Sequence, residues 1–306
     1  MTRHETTRPL LLVALACALC ASCARVEPTG TAPQAAEATA TPALMPTAAP
    51  VEPTATAVPN SPVPTLTRVP SVQAAHSITL HYSDAKGKPV EQAVNYLLYT
   101  PAGYGQDGAP EGGWPLILFL HGQLEWGDDP TVLTRQGVPK LLAEGQNLPA
   151  LVLSPQSREG SRWWPQTAML AALLDAIQAQ YDVNPRRVYL TGISMGGYGV
   201  WALAMAEAAR FAAVVPIAGG ADYLPGDTPI PEAICNLRDV PVWVFHGELD
   251  QNVPVSAAIN AVRALEKCGG RPRLTLYPDA AHAEAWEEAY SHPALWEWLF
   301  AQVRKD

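Results

Sequence analysis

Three residues in the C-terminal half of the chain could together make and use a nucleophile: Ser194, Asp250 and His282. A serine hydroxyl attacks poorly at neutral pH. It needs a base to take its proton and an acid to hold that base in the right tautomer. Ser194 is centred in Gly192-Ile193-Ser194-Met195-Gly196, a Gly-x-Ser-x-Gly sequence in which a sharp strand-to-helix turn presents the serine. Such a turn costs roughly 1–3 kcal/mol of backbone strain and is tolerated only where the residues two before and two after carry no Cβ. Gly192 and Gly196 meet that need. The chemistry this predicts is acyl transfer through the serine oxygen, with the acid and then the base following in the chain.

Asp250 fits the acid because it follows the apolar run Val242-Trp243-Val244-Phe245 through a short turn, His246-Gly247-Glu248-Leu249. Glu248 and Asp279 are near enough in sequence to compete with it. His282 fits the base, in a loop beyond the next strand, after Leu276-Tyr277-Pro278-Asp279-Ala280-Ala281. The other histidines read differently. His4 lies in the N-terminal leader, and His76 and His81 in the first strand. His121 and His246 end buried strands before glycine and are expected to bond backbone, while His292 precedes Pro293 as a helix cap. The oxyanion of a tetrahedral intermediate needs two preorganised N–H donors. Met195, at the start of the following helix, offers one with the helix dipole behind it; Gln123, ahead of Leu124, is the candidate for the other.

Strands and helices must place these residues. Arg187 to Leu190 reads as a strand and Met195 to Ala209 as an Ala-rich helix, with the serine at their junction. Pro115 to Leu120 is continuously apolar, as a strand buried on both faces of a parallel sheet is. Leu151 to Ser154, Ala212 to Ile217, Val242 to Phe245 and Leu274 to Tyr277 add further strands. Thr167 to Gln180, Val255 to Lys267 and Pro293 to Val303 read as helices between and after them. His76 to Ser83 and Ala93 to Thr100 alternate like half-buried strands around Lys86-Gly87-Lys88-Pro89, an antiparallel pair at a sheet edge. Strand and helix alternate, so the predicted fold is α/β, with a mostly parallel sheet and helices on both faces.

Residues from about 76 to 306, within a domain expected over 75–306, resemble the α/β-hydrolase superfamily, and most of all the bacterial group labelled "predicted peptidase", related to phospholipase/carboxylesterases, dienelactone hydrolases and feruloyl or acetyl-xylan esterases. The likeness is carried by Phe119-Leu120-His121-Gly122, Ser154-Pro155-Gln156, the stretch from Tyr189 to Trp201, Val244-Phe245-His246-Gly247 with Asp250, and Tyr277-Pro278-Asp279-Ala280 with His282. The resemblance implies a serine hydrolase of carboxylic esters. One departure stands out: relatives often read His-Gly-x-Gly-Glu-Arg-Gly where this chain has His121-Gly122-Gln123-Leu124-Glu125-Trp126-Gly127. An ester is the expected substrate over an amide, because an alkoxide leaves without needing a proton as urgently as an amine does. The alternatives are a peptidase of prolyl-oligopeptidase type and a catalytically silent carbohydrate-binding module. Trp163 and Trp164, beside the expected site, and Trp126 are candidates to stack on a sugar or aromatic acyl group; packing under the loop is the competing role. Trp296 and Trp298 are expected to pack.

The 306 residues carry a formal net charge of −9, and no Lys/Arg run is present to neutralise phosphates, so nucleic acid is not an expected partner. The expected partner is a small or polysaccharide-linked ester; no cofactor or metal is implied, and nothing in the sequence sets an oligomeric state. Arg3, His4 and Arg8 precede an apolar run from Leu10 to Leu19, too short for a ~20-residue membrane span and suited to a signal peptide covering 1–23. It ends Leu19-Cys20-Ala21-Ser22-Cys23, which resembles a bacterial lipobox with Cys23 as the lipidated residue. Residues 24–74 are rich in Pro, Thr and Ala, with too little apolar surface to offset ordering entropy, and read as an extended tether. The expectation is an exported domain held at a membrane through a lipid anchor alone. Export to an oxidising compartment would let Cys235 and Cys268 pair, since both precede strands on the same edge of the sheet.

Acylation of Cys23 has a direct readout. Full-length protein partitions into the detergent phase and Cys23→Ser moves to the aqueous phase, each buried CH₂ contributing ~0.8 kcal/mol. Equal partitioning of the two rules the anchor out.

Overall fold

The computed structural model describes residues 71–107, 109–222 and 229–305, all within the unit Pro64–Asp306. The leader, Cys23 and most of the Pro/Thr/Ala-rich segment lie outside the described residues. Eight strands form one sheet in the order β1-β2-β4-β3-β5-β6-β7-β8. They are β1 (Val72–Ser83), β2 (Pro89–Thr100), β3 (Trp114–Leu120), β4 (Leu151–Pro155), β5 (Val183–Ile193), β6 (Ala213–Ile217), β7 (Trp243–Gly247) and β8 (Arg273–Tyr277). From β4 to β8 every neighbouring pair is parallel. β1 and β2 form the expected antiparallel pair at the edge. Both are longer than their alternation suggests, because the ladder runs from Val72↔Thr100 to Ser83↔Pro89 and takes in polar residues beyond the alternating stretches. β5 also begins earlier than its apolar core, at Val183. Its register against β3 shifts between Trp114 and Leu116, and Pro185, which lacks a ladder donor, falls within that irregular stretch.

The pleat of β3 sorts the core into two layers. Leu116, Leu118 and Leu120 face a cluster completed by α2 (Thr167–Gln180), α3 (Met195–Ala206) and α4 (Val255–Lys267). Ile117 and Phe119 face another, completed by α1 (Gly137–Ala143), α5 (His282–Ser291) and α6 (Pro293–Ala301). Helices therefore cover both faces, and each fully buried Leu, Ile or Phe contributes roughly 1.5–3 kcal/mol. Burial follows the helices' composition. In α3 every residue from Met195 to Met205 is buried, as its small and apolar sequence allows, whereas α4 buries only Ala257, Ala258, Ala261, Val262 and Leu265 on one face. Two helices escape the sequence pattern. α1 is seven residues long and contains Gly137 and Pro139, poor helix formers. α5 opens on His282, which therefore stands on the first turn of a helix and not in a loop as expected.

α4 stops in a way that places a cysteine. Gly269 takes φ 86°, its N–H bonds Glu266 O, and the Gly270 N–H reaches back to Leu265 O, the paired bonds of a Schellman cap. Cys268, the cap residue, then meets Cys235 from the short 3-10 helix Glu232–Leu237, and the two form a disulfide with Cα atoms 5.2 Å apart. The bridge lies before the starts of β7 and β8, on the edge of the sheet opposite the loops that follow those strands.

Closing a 33-residue separation stabilises by roughly 3–4 kcal/mol in the chain-entropy model. Reduction, or Cys235→Ser with Cys268→Ser, is expected to lower Tm by roughly 10 °C while leaving KM for an ester unchanged. Calorimetry with and without reductant checks this; an unmoved Tm removes the bridge from the stability account.

Candidate active site

Ser194 is held at φ 53° and ψ −118°, a positive-φ conformation that a residue with a Cβ rarely takes. Its N–H donates to Ile217 O at 3.0 Å, and its carbonyl accepts from Tyr198 N–H at 3.2 Å. The glycines on either side are required by contact. A Cβ on Gly192 would lie 2.7 Å from Leu120 O, and one on Gly196 only 1.9 Å from the same atom. The end of β3 thus presses directly on the turn that carries the serine.

Ser194, His282 and Asp250 are brought into one line of hydrogen bonds. The Ser194 hydroxyl donates to His282 Nε2 at 2.9 Å, and His282 Nδ1–H donates to Asp250 Oδ2 at 2.6 Å, since a carboxylate can only accept. The Asp250 side chain is fully buried and that of His282 is 15% exposed. Asp250 Oδ1 accepts from the N–H groups of Asn252 and Val253, 2.9 Å each. Burial works against its charge, yet the bonds from His246, His282 and Val253 outweigh it and hold its pKa well below the usual carboxylate range. The rival acids stand apart: Glu248 and Asp279 are exposed.

His246 has a larger part than its place before a glycine indicated. Its Nε2 is 3.0 Å from Val253 O, so that nitrogen carries the proton, and the same nitrogen lies 3.3 Å from Asp250 Oδ2. It bonds backbone as expected, but it also faces the acid. The spacing of four residues to Asp250 was the available signal.

On the other side of Ser194, the loop after β3 is anchored at both peptides of Gly122. The Gly122 carbonyl accepts from His121 Nδ1–H at 2.5 Å, which leaves His121 Nε2 to accept the Ser157 N–H at 2.9 Å. Burial drives the His121 pKa down to about 4, against the pull of its bond to Gly122, so the ring is neutral. Because C=O and N–H of a trans peptide point in opposite directions, fixing the Gly122 carbonyl turns the Gln123 N–H away from the imidazole. The Gly122 N–H donates to Glu125 Oε2 at 3.1 Å, closing the short 3-10 helix Gln123–Glu125. Gln156 Nε2 bonds Glu125 O and Asp129 O, tying this loop to the one after β4. Glu125 is buried, and sequence reasoning gave it no role; the available signal was that it keeps the glutamate of the relatives' His-Gly-x-Gly-Glu-Arg-Gly pattern while Leu124 and Trp126 depart from it.

A cleft of about 780 Å³ opens over Ser194, His282 and Met195, bounded by Gln123, Leu124, Trp164 and Trp286. Leu124 stands 85% exposed at its mouth. Trp164 packs edge-on to Tyr198, their centroids 6.1 Å apart. Trp163 must be corrected: it is fully buried, its Nε1–H donates to His121 O at 2.9 Å, and it packs edge-on to the His121 ring. Its indole supports the loop from below and does not reach the cleft. Trp126 does not line the cleft either; it stacks on the Arg162 guanidinium, 5.1 Å from its ring centre, and Arg162 also lies over Trp164 at 6.0 Å. Trp296 and Trp298 pack against the α5–α6 layer, and His292 accepts from Ala294 N–H as a cap. Among the described residues no group of three or more His, Cys, Asp or Glu converges as a metal site would.

Residues 130–294 match the dienelactone hydrolase family. A bifunctional acetylxylan esterase/xylanase of Neocallimastix patriciarum is 28% identical over 141 residues, 44% of this chain and 19% of that protein. The chain thus spans about a fifth of that relative's length. Among solved structures, a thermostable esterase is 28% identical with a TM-score of 0.58, covering 74% of this chain and 63% of that one. A feruloyl esterase module from Clostridium thermocellum, complexed with sinapinate, is 17% identical with a TM-score of 0.54 over 76% of this chain and 90% of its own. An acylaminoacyl peptidase of Pyrococcus horikoshii, 14% identical with a TM-score of 0.54 over 76% of this chain and 42% of its own, shares the fold.

The two adjacent tryptophans separate in their effects. Trp163→Ala removes a buried indole and is expected to cost about 3–5 kcal/mol of stability, with a large fall in Tm. Trp164→Ala is expected to cost far less stability and to raise KM for aromatic esters by roughly fivefold, the worth of about 1 kcal/mol of ring contact. Denaturant melts and KM measured side by side check the split.

Proposed function

The chain belongs to the dienelactone hydrolase family, and from that premise we propose that it is a carboxylic ester hydrolase working through an acyl-enzyme on Ser194. The observation that carries the reading is the unbroken line of bonds from Ser194 Oγ through His282 to Asp250, opening on a cleft. His282 Nε2 takes the hydroxyl proton as Ser194 Oγ attacks the ester carbonyl carbon. Asp250, ionised and held by several donors, stabilises the imidazolium that forms. The oxyanion is received by the N–H groups of Met195, at the head of α3, and Gln123. His282 then returns its proton to the departing alkoxide. A water molecule, deprotonated by the same nitrogen, cleaves the acyl-enzyme and releases the acid.

The substrate class is a small or polysaccharide-linked ester. The similarity to an acetylxylan esterase supports it, and so does the aromatic wall of Trp164, Tyr198 and Trp286, suited to an acyl or sugar ring. The leader, the Cys23 motif and the Pro/Thr/Ala-rich segment support export and a tether that holds the domain off a membrane.

Ser194→Ala is expected to lower kcat on a chromogenic acetate ester by roughly 10⁴–10⁶ with little change in Tm. A fluorophosphonate should label the wild type at Ser194 and leave the variant unlabelled. Activity surviving in the variant, or label on another residue, overturns the assignment; a panel of acetyl, feruloyl and peptide substrates then ranks the leaving groups.

A further inference from the structure

Behind the Gln123 turn lies a carboxyl that the ester chemistry above leaves unused. Glu125 is 1% exposed. Its Oε2 accepts the Gly122 N–H, while Oε1 is buried with no hydrogen-bond partner among the described residues. A buried acid with one oxygen unsatisfied is costly as an anion and much less so as the neutral acid. The carboxyl is also close to the chemistry. A Cβ placed on Gly122 would sit 3.7 Å from Glu125 Oε2 and 3.7 Å from Ser194 Cβ, so one glycine's width separates the acid from the nucleophile.

We propose that Glu125 is a positioning residue of the oxyanion turn that works as a neutral acid: it holds the Gly122 N–H, as His121 holds the Gly122 carbonyl, and its ionisation disables the turn. The inference rests on the reading of Ser194 as nucleophile and Gln123 N–H as an oxyanion donor. With both peptides of Gly122 anchored, the Gln123 N–H has one direction available to it. Loss of the Glu125 proton acts twice. It puts a negative charge beside the developing oxyanion in a site from which water is largely excluded, where repulsion is weakly screened. It also leaves a buried charge whose relief requires the 122–125 turn to open toward water.

The groups around the carboxyl favour the neutral state. Burial raises its pKa to about 8, against the lowering effects of the Gly122 N–H and of Arg135 at the end of the 3-10 helix Pro130–Arg135. Tyr290, from α5, keeps its proton, its pKa pushed up chiefly by burial and also by Glu125. His121, on the far side of Gly122, is neutral. His282, across Ser194, turns its Nδ1 to Asp250 and away from Glu125. Since the unfolded chain loses this proton near 4.5 and the folded chain near 8, the folded state binds more protons between those values. Stability contributed by Glu125 therefore falls as pH rises through that window.

The test is the pH dependence of kcat/KM on a chromogenic acetate ester, corrected for spontaneous hydrolysis, for wild type and Glu125→Gln. The amide keeps an oxygen for the Gly122 N–H and cannot ionise. Wild-type activity is expected to fall on the order of tenfold above pH 8, less than the loss from deleting an oxyanion donor outright. Glu125→Gln is expected to lose that alkaline limb, and the decline of Tm between pH 5 and 8 is expected to flatten. A flat wild-type profile from pH 7 to 10 overturns the proposal without any variant, and so does a Glu125→Gln profile that superimposes on an alkaline limb in the wild type. Failure of the underlying reading looks different: Ser194→Ala would then retain activity at every pH.

Discussion

Leu120 O lies where a Cβ on either Gly192 or Gly196 would collide with it, and that approach sets the geometry on both sides of Ser194. It forces the strained turn at Ser194, at φ 53°, whose cost of roughly 1–3 kcal/mol is small beside a core in which each buried large side chain contributes about as much. The residue after Leu120 is His121, which fixes the Gly122 carbonyl. The strand that crowds Ser194 therefore also launches the Gln123 turn, the two parts to which the proposed function gives the nucleophile and the oxyanion donor. A shift of β3 along the sheet would move both together, and β3 resists such a shift because all seven of its residues are buried between β4 and β5.

Parallel strands explain why the line from Ser194 to Asp250 is legible in the amino-acid sequence. Ser194, Asp250 and His282 each follow a strand of the same parallel set, and ligand sites in such sheets gather beyond the carboxyl ends of the strands. Apolar runs such as Val242 to Phe245 mark those strands in sequence, so the residues just past them are marked as well. Contacts between loops have no such mark. Trp163 lies under His121 only because the loop after β4 folds back across the loop after β3, joined through Gln156 and Ser157. Its neighbour Trp164 faces the cleft, and nothing in the dipeptide Trp163-Trp164 tells the two apart. α5 was hidden for a related reason: its apolar set of Ala285, Trp286, Ala289 and Tyr290 is two alanines and two aromatics among glutamate, serine and histidine positions, a faint stripe that becomes decisive only against Phe119.

Three histidines crowd the catalytic edge, and the acceptor each one meets assigns its task. His121 spends its proton on the Gly122 carbonyl and its lone pair on the Ser157 N–H, so both nitrogens are committed to shaping a loop. His246 shares its Nε2 proton between Val253 O and Asp250 Oδ2, and its other nitrogen is sealed in the core without a partner among the described residues. Of the three, only His282 sets its second nitrogen against a hydroxyl at the edge of a cleft while its first bonds a carboxylate. The same imidazole therefore serves as loop anchor, partner of an acid and base, and the difference is made by neighbours supplied from other strands. The sharing of Asp250 between two histidines follows from this. A carboxylate that accepts from His282, His246 and two backbone N–H groups has no cause to take a proton itself, so in the proposed reaction an imidazolium at His282 would be stabilised by charge and would keep its proton for the leaving group.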